Sequence, residues 1–127
     1  MKNKNTIISV IIVALVVVGV VWLIETPAKP GQLDSFATCL KDKGILFYGA
    51  FWCPHCQSQK ALFGASVSKL PYVECSTPDG RSQLQVCTDK GIKSYPTWIF
   101  PDGSELTGEI PLETLSQKST CPLPSVK

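Results

Sequence analysis

The chain has 127 residues, six of them cysteine, and a formal net charge of +2. Beyond residue 24 ten Lys/Arg balance ten Asp/Glu, so the excess lies in Lys2 and Lys4, and a neutral body has no electrostatic footprint for nucleic acid. About 100 residues follow an apolar N-terminal run, enough for one compact domain, and so many cysteines point to an oxidising compartment.

Residues 6–24 carry no charge, and only Thr6 and Ser9 are polar. A helix of that length covers about 28 Å, close to the hydrocarbon thickness of a bilayer. A cleaved signal peptide has a shorter apolar core and a small-residue exit, whereas this run ends Val21-Trp22-Leu23-Ile24-Glu25. An uncleaved anchor is therefore expected, with a signal peptide as the competing reading. Lys2 and Lys4 on the short side lead us to expect residues 1–5 in the cytoplasm and everything after the anchor outside.

Residues 25–31 form a linker stiffened by Pro27 and Pro30, and residues 32–121 the folded domain. Leu33, Phe36, Ala37 and Leu40 recur at helical spacing over residues 32–43, and Gly44 suits the position after a helix end. The apolar run 45–51 predicts a buried strand, followed by a helix over 57–63 that Gly64 breaks or bends and 66–70 continue. Residues 72–75 predict a second strand, 76–80 a turn-rich loop and 82–90 a helix ended by Gly91. Residues 97–100 and 105–107 flank Pro101-Asp102-Gly103-Ser104, a hairpin pattern. Pro111 opens a last helix to about residue 118, and residues 122–127 form an irregular tail.

Between the first strand and its helix lies Trp52-Cys53-Pro54-His55-Cys56. Cys53 falls at the helix start, with Pro54 in the first turn, where free N–H groups and the helix dipole favour thiolate. It is therefore the expected reactive sulfur. Cys56, one turn further in, is expected to be more buried and close enough to form a disulfide with it. His55 adds a donor, and a positive charge when protonated. This is equipment for thiol–disulfide exchange. The competing zinc reading lacks a second Cys or His pair, because Cys75 and Cys87 stand twelve apart, which fits no common zinc spacing. No metal site is expected. Cys75 and Cys87 bracket the turn-rich loop and are expected to pair, leaving Cys39 to pair with Cys121. Loop-closure entropy gives such bonds about 3 and roughly 4.5 kcal/mol. Simple stapling is preferred for both, with an electron relay through Cys75–Cys87 as the alternative.

The resulting order predicts an α/β fold, a central mixed sheet with helices on both faces and the last two strands antiparallel. With its C-x-x-C motif and with Ser94-Tyr95-Pro96-Thr97 before the third strand, the chain resembles the thioredoxin superfamily. That family carries a cis-proline at this place, facing the active-site disulfide. The resemblance implies a cis Pro96 and a substrate-binding surface of Tyr95, Pro96, Trp52 and Pro54; a trans proline opening a strand also fits the sequence.

Three blocks carry a closer likeness. They are Phe47 through Gln57, Pro71-Tyr72-Val73-Glu74-Cys75, and Ser94-Tyr95-Pro96-Thr97-Trp98. Together they resemble the thioredoxin-like domain that is fused to, or partners, bacterial homologues of vitamin K epoxide reductase, over about residues 33–120. The resemblance implies an extracytoplasmic thiol–disulfide oxidoreductase that exchanges disulfides with substrate proteins and passes electrons to a quinone-linked membrane oxidase. No cofactor is expected beyond the redox-active Cys53–Cys56 pair itself, and the resemblance implies that any quinone belongs to the membrane partner. Reduction or isomerisation, including cytochrome maturation, and a non-catalytic binding module are the alternatives. Thioredoxin keeps a buried Asp six residues before its first active-site Cys; here that place is Phe47, so proton handling at Cys56 is left open.

Overall fold

The computed structural model describes residues 3–25 and 30–125. Four of the seven expected linker residues (26–29) and both extreme termini, 1–2 and 126–127, lie outside the described residues. Helix α1, Lys4–Glu25, has 22 residues. At 1.5 Å per residue it extends about 33 Å. Its described side chains are all exposed, among them Ile11, Leu15, Val18 and Trp22. It is the one helix among the described residues long and apolar enough to cross a membrane.

The domain runs α2 (Asp34–Asp42), β1 (Leu46–Gly49), α3 (Pro54–Ala61), a 3-10 helix (Gly64–Lys69), β2 (Tyr72–Glu74), α4 (Gln85–Asp89), β3 (Thr97–Ile99), β4 (Glu105–Thr107) and α5 (Leu112–Ser119). The sheet order is β2-β1-β3-β4, with β1 and β2 parallel and the other pairs antiparallel. Residues directly opposite in the ladder share a face because side chains alternate along a strand. Phe47 opposes both Tyr72 and Trp98, and Trp98 opposes Leu106. These side chains pack with Phe36 and Leu40 of α2, Phe63, and Leu115 of α5 into the larger core. Phe47 and Trp98 stack with centroids 4.5 Å apart. Leu46, Tyr48, Val73 and Ile99 point to the other face, against Cys75, Cys87 and Ile92. Each face thus has its own apolar cluster, and β1 lies within the sheet with a neighbour on each side.

Both expected structural disulfides are present, Cys39–Cys121 and Cys75–Cys87. The first ties α2 to the segment after α5; the second ties the end of β2 to α4.

Most element boundaries shift by a residue or two from the sequence expectation, and three differ for a visible physical reason. The apolar run 45–51 forms a strand only to Gly49, because Phe51 and Trp52 enter the turn into α3 and stand half exposed. The helix expected over 82–90 is confined to Gln85–Asp89. Ser76 bridges Gln83, Thr77 N–H bonds to Ser82 O, and Leu84 N–H bonds to Cys75 O, so residues 82–84 use their backbone groups across the loop. Residues 66–69, expected to continue the helix after the C-x-x-C, instead belong to the 3-10 segment that opens at Gly64 (φ +51°), and Leu70 is already extended.

Candidate active site

The site is built on the turn from β1 into α3. Cys53 is the residue capping α3, in extended conformation (φ −77°, ψ 119°), and Pro54 follows in the first turn, where its missing N–H costs nothing. The turn is held from three sides. Cys53 N–H bonds to Ala50 O at 3.0 Å, Gln57 Nε2 donates to Phe51 O at 2.9 Å, and Phe51 N–H donates to Glu74 Oε1 at 3.2 Å.

Cys53 and Cys56 are both free thiols here, and the expected order of burial holds: Cys53 is 6% exposed and Cys56 0%. Cys53 Sγ lies 3.7 Å from the carbonyl oxygen of Tyr95, and the Tyr95–Pro96 peptide bond is cis. The loop is tied on its far side by Gly108 N–H bonding to Pro96 O at 2.8 Å. Cys53 therefore faces the Tyr95–Pro96 backbone and Cys56 lies behind it, packed with Ala50. Burial pushes the Cys56 thiol up to about 12, and the hydrogen bond and charge of Cys53 add to the rise. A backbone hydrogen bond from Ala50 and the charge of Lys60 pull the other way.

His55 is exposed, with ring Nδ1 2.6 Å from Glu109 Oε1. Trp52 donates its indole N–H to Ser76 Oγ at 2.8 Å and meets Tyr95 edge-on, centroids 6.2 Å apart. Phe51 and Trp52 retain 48% and 49% of their exposure, giving an apolar rim next to Cys53. The expected residues Cys53, Cys56, Trp52, Tyr95 and Pro96 thus meet at one end of the sheet; His55 and Pro54 are on its exposed margin.

Sequence reasoning missed Glu109, Gln59, Tyr72, Glu74 and Lys60. Glu109 is 54 positions from His55, and no local pattern joins them. Gln59 is fully buried, donating to Ile110 O at 3.0 Å and accepting from Ile110 N–H at 2.6 Å, which fixes the segment carrying Glu109 against α3. Lys60 had a legible signal: it stands four residues after Cys56, on the same helix face.

Comparison with known proteins follows the geometry. Thiol-disulfide oxidoreductase LTO1 of Arabidopsis thaliana is 44% identical over 88 residues, covering 65% of this chain but only 23% of that protein. The chain therefore spans less than a quarter of that relative's length. The thioredoxin family signature matches residues 31–119, from just before α2 to the end of α5. The chain belongs to the thioredoxin family.

Proposed function

We propose that the chain is a membrane-anchored thiol–disulfide oxidoreductase. Its domain works on the extracytoplasmic side and exchanges disulfides with substrate proteins. The observation that carries this reading is the placement of Cys53 at the start of α3, against the Tyr95 carbonyl, with Cys56 fully buried behind it. A substrate peptide lying along the Tyr95–Pro96 backbone would bring its sulfur to Cys53 and not to Cys56. The substrate thiolate attacks Cys53 in the disulfide form, giving a mixed disulfide, and the substrate's second thiolate resolves it. The protein is left as a dithiol, and Cys56 then takes part in returning the electron pair to a membrane oxidase resembling vitamin K epoxide reductase. The likeness of three separated sequence blocks supports that partner. α1 supports the membrane attachment, with Lys2 and Lys4 on its cytoplasmic side.

Single replacements of the two cysteines in the full chain test the assignment. Cys53→Ser should eliminate exchange, and Cys56→Ser should accumulate mixed disulfides through Cys53. Accumulation on Cys56 in the Cys53→Ser protein would reverse the two roles. A wild-type chain that neither oxidises nor reduces protein thiols would leave only a binding module.

A further inference from the structure

Exchange in either direction requires Cys56 to carry negative charge, as leaving group when the disulfide is opened and as attacking thiolate when it is closed. Cys56 is fully buried, and a buried thiolate is costly unless a fixed positive charge or donors offset it.

The groups facing it are few. Gly49, the last residue of β1, and Ala50 just after it offer no ionisable side chain, and Cys53 is the reaction partner. From β2 come Tyr72 and Glu74. A Cβ built on Gly49 would lie 2.9 Å from Cys56 Sγ and 3.0 Å from Tyr72 Cε2, so the sulfur and the ring edge flank one point. The Tyr72 hydroxyl is committed elsewhere, donating to Glu74 Oε2 at 2.8 Å. Burial, and then that hydrogen bond, push the phenol up and keep it neutral. Glu74 is equally committed: its Oε1 accepts from the N–H groups of Phe51, Cys75 and Ser76 at 3.2, 3.1 and 2.9 Å. Neither group is free to take a proton from Cys56.

Lys60 is the remaining charge. It stands one helical turn beyond Cys56 on α3, and its Nζ sits 3.3 Å from the centroid of the Tyr72 ring. A cation over an aromatic face is held there electrostatically, more strongly where water is partly excluded. The ring whose edge flanks the same point as the Cys56 sulfur thus carries an ammonium on its face. We propose that Lys60, held on the Tyr72 ring, is the positioning charge that stabilises the Cys56 thiolate during exchange, with Glu74 anchoring the ring through its hydroxyl. The inference rests on Cys56 as the resolving sulfur of the proposed reaction.

In the oxidising direction the substrate thiolate forms a bond to Cys53 Sγ and the Cys53–Cys56 bond breaks. Cys56 leaves with the electron pair, beside Lys60, and then takes a proton from water. In the reverse direction the Cys56 proton goes to water, and the thiolate attacks Cys53 and expels the substrate thiolate. Lys60 keeps its proton throughout.

The test uses the full-length chain carrying Cys53→Ser with both structural disulfides intact, so that Cys56 is the sole thiol. Its alkylation by neutral iodoacetamide is followed by mass at about pH 8.5, where a lysine is charged. A nearby unit charge shifts a thiol by about one unit or more, so Lys60→Met should slow alkylation about tenfold while Lys60→Arg stays within about twofold of the parent. An unchanged rate in Lys60→Met, or equal losses in Lys60→Met and Lys60→Arg, would overturn the proposal. Failure of the underlying role assignment would look different: substrate trapped on Cys56 instead of Cys53, with the alkylation comparison still readable.

Discussion

Gly49 and Cys56 approach so closely that a Cβ on residue 49 would lie 2.9 Å from Cys56 Sγ. The last residue of β1 therefore has to be glycine for the second active-site sulfur to occupy its place, since real Cβ atoms do not come that near another heavy atom. Gly49→Ala should push Cys56 and the start of α3 outward. Overpacking of this kind costs about 1–3 kcal/mol. Chemical denaturation of the reduced protein should show that loss, and the Cys53–Cys56 disulfide should form more slowly. Unaltered stability together with unaltered oxidation would mean that the sheet yields at no cost.

The raised thiol of Cys56 makes the stability of the reduced domain depend on pH. Its folded value of about 12 exceeds its ordinary value of 9.0, so the unfolded chain loses this proton first. The contribution is complete below about pH 9 and is lost as pH rises towards 12. Oxidation removes the thiol and hence this dependence, whereas the raised phenols of Tyr48 and Tyr72 are present in both forms. Melting temperatures taken from pH 8 upward should therefore fall faster for the reduced protein than for the oxidised one. Parallel curves would show that Cys56 ionises as freely in the fold as in the unfolded chain.

His55 and Glu109 give a prediction of opposite signs. Glu109→Gln makes the pair one unit more positive whatever the protonation of the imidazole, and positive charge near Cys53 favours the thiolate and a more oxidising disulfide. His55→Leu should shift the potential the other way. Both groups are exposed, so each change should be on the order of 10 mV, given that about 30 mV corresponds to roughly 1.4 kcal/mol for a two-electron couple. Equilibration with glutathione measures it. Shifts of the same sign in both variants would remove this electrostatic account.

The Cys39–Cys121 bond closes the domain across a sequence separation of 82 and belongs to the larger core, a different cluster from that of Cys53 and Cys56. Cys39→Ser should leave a free Cys121 and reduce stability by about 2–4 kcal/mol, while exchange activity in the folded protein is retained. Loss of exchange without loss of folding would show that this disulfide serves the reaction.

The exposed apolar surface of α1 calls for lipid. Full-length protein should sediment with membranes and resist extraction at high salt, and protease added from outside should digest the domain in intact spheroplasts. A shortened, soluble product in the cell would identify the segment as a cleaved signal instead.

The exchange motif was legible without coordinates because its signals are local. An apolar run, Cys53 followed by Pro54, and a helical continuation place a sulfur at a helix start by short-range geometry alone. The hairpin around Pro101-Asp102-Gly103-Ser104 and the pairing of Cys75 with Cys87 were readable for the same reason: chain connectivity leaves few alternatives over so few residues. The shortened helix at Gln85–Asp89 was not, because helical periodicity over 82–90 competes with cross-loop bonds from Cys75 to Thr77, which form only once β2 is in place. The surroundings of the two sulfurs also required the tertiary structure. β1 and β2 lie side by side in parallel, which sets Tyr72 opposite Phe47 and Glu74 opposite Gly49. That register puts the Tyr72 ring beside Cys56 and beneath Lys60, while buried Gln59 fixes the segment that brings Glu109 to His55. Composition and spacing thus determined that a cysteine stands at a helix start with a second one turn behind it. Which charges surround them was decided by strand register and helix docking, since electrostatic interactions depend on distances that residues far apart in the chain acquire only on folding.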